Sequence, residues 1–207
     1  MLTTNPVLPL GYSPVAEGQL VTVVTCLEMR ARPQITRPDM PRGLRLERQA
    51  APDLAAYRDL FRRVGEEFLW SSRLELDDEA LRAILHDPQV ELFVLFDDAG
   101  AIGLVELDFR VEGEGEIAFF GLAAEAVGSG VGWVMMAHAL ERAWSRPIGR
   151  LWVHTCHFDH PKAIAFYRRA GFVPYATLVE VIEDPRLTGH LSRNAAPQIP
   201  MLMVGES

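Results

Sequence analysis

At 207 residues the chain is long enough to bury one substantial core, and it reads as one domain with extensions rather than as two domains. Its composition, 49% apolar and 23% charged, is that of a soluble globular protein, and no apolar run approaches the roughly 18–20 residues that span a bilayer, so no membrane partner is expected. The formal charge of −8, from 20 basic and 28 acidic residues, argues against nucleic acid as a partner.

Residues 1–43 hold six prolines around one apolar run at 21–29. This pattern predicts a loose leader, one strand able to join a sheet or to pair across a homodimer, and a Pro-rich linker. No Lys or Arg precedes Arg30, so the apolar stretch 20–27 lacks the basic flank of a secretory signal, and a cytoplasmic location is expected. Residues 44–48 form a short strand. Asp53 then supplies an N-cap for a helix whose apolar positions Leu54, Tyr57, Leu60, Phe61, Val64 and Phe68 recur at helical spacing. A second helix starts near Asp77 and Asp78, carries Leu81, Ile84 and Leu85, and stops at Pro88.

A continuous apolar run at 90–96 is followed by a turn at 97–100 and an alternating run at 102–110. In that second run Val105, Leu107 and Phe109 face one way, and Glu106, Asp108 and Arg110 the other. A Gly-rich turn at 112–115 leads to a strand beginning at Glu116 and ending at Leu122. A loop with Gly128, Gly130 and Gly132 opens a helix over 131–145, after which come a strand at 151–156 and a helix with Pro161 in its first turn and Gly171 at its end. Residues 172–182 form the last strand, and the tail from Asp184, with prolines at 185, 197 and 200, is irregular. The order predicts an α/β (α+β) fold: one mixed central sheet, an early antiparallel meander, a late βαβ crossover and helices on both faces. Cys26 and Cys156 each lie in an apolar strand context and read as reduced thiols rather than a disulfide.

Chemistry concentrates in two segments. Backbone N–H groups at the glycine loop and at the first turn of the following helix are unpaired donors pointing one way, which makes an anion site suited to a diphosphate. A dinucleotide fold would place such a loop in its first βαβ unit, whereas here it follows two helices and a meander. The lysine of a Walker loop is absent, since Trp133 and Val134 follow Gly132. The second segment, His154, Cys156, His157, Asp159 and His160, has ligand-type side chains, but no second ligand group recurs at structural-zinc spacing. Packing and hydrogen-bonding roles are therefore expected there, with no metal, although His157 or His160 could tune protonation near neutral pH.

Val127-Gly128-Ser129-Gly130-Val131-Gly132 resembles the pyrophosphate loop Gln/Arg-x-x-Gly-x-Gly/Ala of the GNAT superfamily of acyl-CoA-dependent N-acetyltransferases, with Val127 at the polar position. His160-Pro-Lys-Ala163-Ile-Ala-Phe166-Tyr167-Arg-Arg-Ala-Gly171-Phe172 resembles that family's segment Asn-x-x-Ala-x-x-Phe-Tyr-x-x-x-Gly-Phe, with His160 at the Asn position. The two motifs occur in the family's order and on the expected elements. The resemblance covers roughly residues 44–182, and the stretches 119–122 and 152–161 are similar to an uncharacterised bacterial subgroup.

The resemblance implies the GNAT fold over residues 44–182, flanked by the leader at 1–43 and the tail at 183–207. It implies acetyl-CoA as co-substrate, contacted by Leu122, Ala124, Val127, Gly128, Ser129, Gly130, Val131, Gly132, His160, Ala163 and Tyr167. Tyr167 would protonate the departing thiolate, and Glu116 would act as general base. The Leu122 N–H, freed by a bulge that Gly121 makes cheap, would polarise the thioester carbonyl. Phe68, Trp70 and Arg73 would line the acceptor pocket, an aromatic wall with one Arg suiting an amino acid or carboxylated amine. Residues 97–116 carry seven acidic side chains against Arg110 alone; they read as a solvated sheet face, with a field that draws in a cationic amine as the sharper alternative. The expected activity is transfer of an acetyl group to a primary amine, a small molecule or amino acid rather than a protein. The alternative is a catalytically weak domain that binds acyl-CoA as a sensor or scaffold, with a partner on its N-terminal arm.

Overall fold

Two carboxylates start the first two helices. Asp53 accepts the N–H of Ala56 at the head of α1 (Leu54–Gly65), and Asp77 accepts that of Ala80 at the head of α2 (Asp78–Leu85), each at 2.8 Å. Each cap is worth about 1 kcal/mol. The computed structural model describes residues 5–202; the ends of the expected leader and tail, residues 1–4 and 203–207, lie outside the described residues.

In chain order the remaining elements are β1 (Gln19–Met29), β2 (Arg45–Gln49), β3 (Val90–Phe96), β4 (Ala101–Asp108), β5 (Glu114–Leu122), α3 (Val131–Ala143), β6 (Arg150–Cys156), α4 (Ala163–Arg169) and β7 (Val173–Glu183), with α1 and α2 between β2 and β3. The strands form one sheet in the order β2-β3-β4-β5-β6-β1-β7. All neighbours are antiparallel except β5 and β6.

The continuous apolar run of β3 is explained by helices on both faces. Leu92 and Val94 pack with Tyr57, Leu60, Phe61 and Val64 of α1, while Phe93 and Leu95 join Met135, Met136 and Leu140 of α3 and Tyr167 of α4. The apolar run near the N-terminus becomes β1, held between β6 and β7: Val24 pairs with Cys156 on one side and with Leu178 on the other. Both of its edges are therefore used, which corrects the expectation that this strand could pair across a dimer; the open edges belong to β2 and β7.

Among the described residues the tail after β7 has neither helix nor strand, yet it is anchored. Arg186, 3% exposed, pairs with the buried Asp184 and donates through Nη1 to the carbonyls of Ala195, Ala196 and Ile199. Leu191, Ala195 and Ala196 then pack against Leu20, Leu69 and Phe158. Cys26 and Cys156 are free thiols. Among the described residues no helix is long and apolar enough to cross a membrane.

Candidate active site

β5 and β6 pair at Glu114–Arg150, Gly115–Leu151 and Glu116–Trp152, and then part. Beyond that point β5 keeps only β4 as a partner. Ala123 N donates to Ile102 O at 2.8 Å. Successive N–H groups of a strand point to opposite edges, so the Leu122 N–H faces the gap that β6 has left. The gap opens into a cavity of about 1180 Å³.

The bulge in β5 is not where Gly121 suggested. Glu106 pairs with Phe119 and Leu107 with Ile117, which leaves Ala118 unmatched, whereas Gly121 pairs regularly with Leu104. Gly121 answers to packing instead: a Cβ there would lie 2.3 Å from Val64 Cγ1 and 3.0 Å from the Trp70 ring.

At one end of the cavity the wall is mainly backbone. Gly128 and Gly130 have φ of +84° and +85°, and a Cβ on either would meet nothing within 4 Å, so the sign of φ and not space requires glycine. Gly130 itself caps α3 with no side chain; Val131 N–H reaches Ser129 Oγ at 3.4 Å and Trp133 N–H the Gly130 carbonyl at 3.1 Å, which leaves the Gly132 N–H without a partner among the described residues at the positive end of the helix. Lys162 and Arg169 also line this cavity, with the Arg169 guanidinium 4.4 Å above the Trp133 ring at the start of α3. This set of donors and cations fits a diphosphate. Val127, an exposed residue, lines the wall.

Ala124, Ser129 and Val131 do not present side chains to the wall. Ala124 is exposed in a 3-10 turn (Ala124–Ala126), Ser129 Oγ donates to Ala126 O at 2.7 Å, and Val131 is fully buried beneath the loop. Their contribution to a ligand is limited to backbone. His160, at the cavity wall, accepts the Lys162 N–H at Nδ1 and so closes the turn before α4. Ala163 and Tyr167 follow on α4, and burial pushes the Tyr167 phenol far above its ordinary range, so it stays protonated.

The other end is made of paired side chains. Phe68, Trp70 and Arg73 all line the cavity. Trp70 Nε1 donates to Asp159 Oδ1 at 2.9 Å, and Asp159 Oδ2 accepts from Thr155 Oγ1 and from Cys156 N at 2.7 and 2.8 Å. Arg73 is committed: its Nη2 donates to Glu106 Oε1 at 2.5 Å, and Tyr57 O–H donates to the other carboxylate oxygen at 2.8 Å. Arg73 is therefore no free cation for an acceptor carboxylate, and Glu106, 0% exposed, does not belong to a solvated sheet face. Both are corrections, with one cause: α1 and the loop after it cover that face of β4. Burial alone would lower the Arg73 pKa, but the Glu106 carboxylate outweighs it and raises it.

Glu116, the last β5 residue paired with β6, has Oε1 3.6 Å from His154 Nδ1. Burial pushes His154 down, yet the carboxylates of Glu116, Glu180 and Asp159 outweigh it and hold the imidazole above its ordinary range. His157 is engaged elsewhere, accepting the Val23 N–H at Nδ1 at 2.9 Å. Among the described residues no group of three or more His, Cys, Asp or Glu side chains could hold a metal ion. Sequence patterns had missed three features of this end: the His154–Glu116 contact, the Asp159 anchor, and the wall formed by Thr188 and His190 of the tail. Only Asp159 left a local signal, an Asp just past a strand end and ahead of a proline.

A family model described as Acetyltransferase (GNAT) family matches residues 54–172, more than half of the chain. It leaves out β1, β2 and β7. No curated protein matches the chain. Among solved structures, a GCN5-related N-acetyltransferase from Sphaerobacter thermophilus is 15% identical with a TM-score of 0.58, covering 79% of this chain and 52% of its own. A tandem GNAT protein from the clavulanic acid biosynthesis pathway is 16% identical at a TM-score of 0.55, covering 79% and 54%. An aminoglycoside acetyltransferase from an uncultured soil metagenomic sample, in complex with trehalose, is 19% identical at a TM-score of 0.53, covering 64% and 90%. The chain thus spans about half the length of the first two, and at these identities the likeness is one of fold.

Proposed function

Because the chain belongs to the GNAT acetyltransferase family, we propose that it transfers an acetyl group from acetyl-CoA to a primary amine on a small molecule, by direct attack. The observation that carries this reading is the parting of β5 from β6 beyond Glu116 and Trp152. It leaves the Leu122 N–H over a cavity with a helix start that Gly130 caps with no side chain at one end and a carboxylate at the other.

Acetyl-CoA supplies an acetyl group activated as a thioester. Gly128, Gly130 and the first turn of α3 hold its diphosphate, with Lys162 and Arg169 offsetting the charge. Glu116 takes a proton from the acceptor nitrogen. The Leu122 N–H donates to the carbonyl oxygen as negative charge builds there, and being fixed in the strand it needs no reorganisation. Tyr167 gives its proton toward the sulfur; burial makes a lasting phenolate costly, so that proton is replaced as it leaves. With Arg73 neutralised by Glu106, the wall of Phe68, Trp70 and Phe119 favours an amine without a carboxylate.

Release of free thiol from acetyl-CoA, measured across a panel of amines, tests the proposal. Turnover with at least one amine is expected. Tyr167→Phe should lower kcat by roughly 10²-fold or more while acetyl-CoA still binds. An intact Tyr167→Phe rate would remove the tyrosine from the mechanism, and no turnover with any amine would remove the activity.

A further inference from the structure

We propose that His154 is where the acceptor's proton comes to rest: Glu116 takes it from the nitrogen and passes it to His154 Nδ1. This rests on the acetyl-transfer reading above and adds the proton's destination.

Position comes first. Glu116 lies beside Trp152 in the last parallel pair, and His154, two residues on, shares the Trp152 face of the sheet. The two side chains therefore meet where the strands part, and both line the cavity. The 3.6 Å separation of Nδ1 and Oε1 is just beyond a hydrogen bond, and Nδ1 is buried with no other partner among the described residues. A buried ring nitrogen in that state is costly, and closing the gap by about half an ångström gives it the carboxylate. The Trp152 ring stacks on the imidazole at 6.1 Å, which holds its plane; the side chain is 37% exposed although Nδ1 is buried, so the imidazolium returns its proton to solvent from Nε2.

The surrounding charges leave Glu116 as the controlling partner. Asp159 in the following turn is used by Trp70, Thr155 and Cys156. Arg150, the cation on the same strand, is taken by Glu28 and Glu114. Cys26, opposite on β1, is a thiol that burial keeps neutral. Glu180 on β7 adds negative charge without an ion-pair partner among the described residues, and it holds the proton on the imidazole more firmly.

The chemistry gains from the pair. A lone carboxylate titrates about two units below an imidazole, so it is the poorer resting place for a proton taken from an ammonium group. With His154 neutral and Glu116 ionised, the pair accepts one proton at the imidazole's affinity. Before attack the ammonium nitrogen gives up one proton, which passes through Glu116 to His154 and on to solvent. As the N–C bond then forms and the C–S bond breaks, the nitrogen loses a second proton, which replaces the one that Tyr167 gives to the sulfur.

The test combines a titration with a rate profile. An NMR titration of the parent should place the His154 imidazole above a free imidazole, and Glu116→Gln should lower it. With an amine turned over, log kcat/KM should rise with pH through an inflection that does not move when an amine of different basicity is used. His154→Gln should abolish that inflection and slow turnover by about ten- to a hundred-fold, with acetyl-CoA affinity unchanged. The inference is overturned if the imidazole does not respond to Glu116→Gln, or if His154→Gln keeps the inflection while turnover continues. A parent that acetylates no amine would overturn the transfer reading and this inference together.

Discussion

The two ends of the cavity are built from different materials. At Gly128–Gly132 the wall is mainly backbone: two residues at positive φ, a helix start that Gly130 caps with no side chain, and the apolar Val127 at the loop's edge. At Glu116 the wall is side chains, several of them held by a partner from elsewhere in the chain, with Trp70 and Asp159 89 residues apart and Arg73 and Glu106 33 apart. A backbone site tolerates substitution and binds a shape shared by many ligands. A side-chain site is specific and fails when one partner is lost.

The contrast can be broken most severely at Glu106. Glu106→Leu strands the Arg73 charge in a buried site, a change that costs about 3–5 kcal/mol. The melting temperature should fall by roughly 10 °C or more in calorimetry, and an unchanged value would mean that Arg73 finds water or another partner. Next in size is Gly130→Ala, which places a side chain at a φ of +85°. The free loop should relax away from that φ, so that binding must restore it at a cost on the order of 1–2 kcal/mol, read as roughly tenfold weaker acetyl-CoA binding with the acceptor KM unchanged. Smallest is Trp70→Phe, which keeps the aromatic bulk and removes the donor to Asp159. A loss of about 1 kcal/mol should raise the acceptor KM about fivefold and leave acetyl-CoA affinity alone. A variant that moved both ligands equally would erase the distinction between the two ends.

The same contrast explains what could be read from the sequence. The glycine loop, the Asp53 and Asp77 caps and the apolar run of β3 are local patterns, and each became the element its spacing implied. Glu106 alternates with apolar neighbours as a solvent-facing residue would, and nothing local says that α1 covers that face and brings in Tyr57 and Arg73. Gly121 suggested a bulge because glycine tolerates one, whereas its actual constraint is the approach of Val64 and Trp70. The place of β1 was equally hidden, since an alternating strand looks the same at the edge of a sheet as between β6 and β7. The tail lacked periodicity; it is held by Arg186 reaching three carbonyls and by Leu191, Ala195 and Ala196 packing on Leu20, Leu69 and Phe158, contacts that no local pattern announces.

The central claim is that the gap between β5 and β6 receives acetyl-CoA through the backbone at the head of α3. Calorimetric titration of the parent, Gly130→Ala and Trp70→Phe proteins with acetyl-CoA tests it most directly. The account predicts saturable one-to-one binding by the parent, weakened in Gly130→Ala and retained in Trp70→Phe; no binding by the parent at millimolar acetyl-CoA, or equal binding by Gly130→Ala, would contradict it.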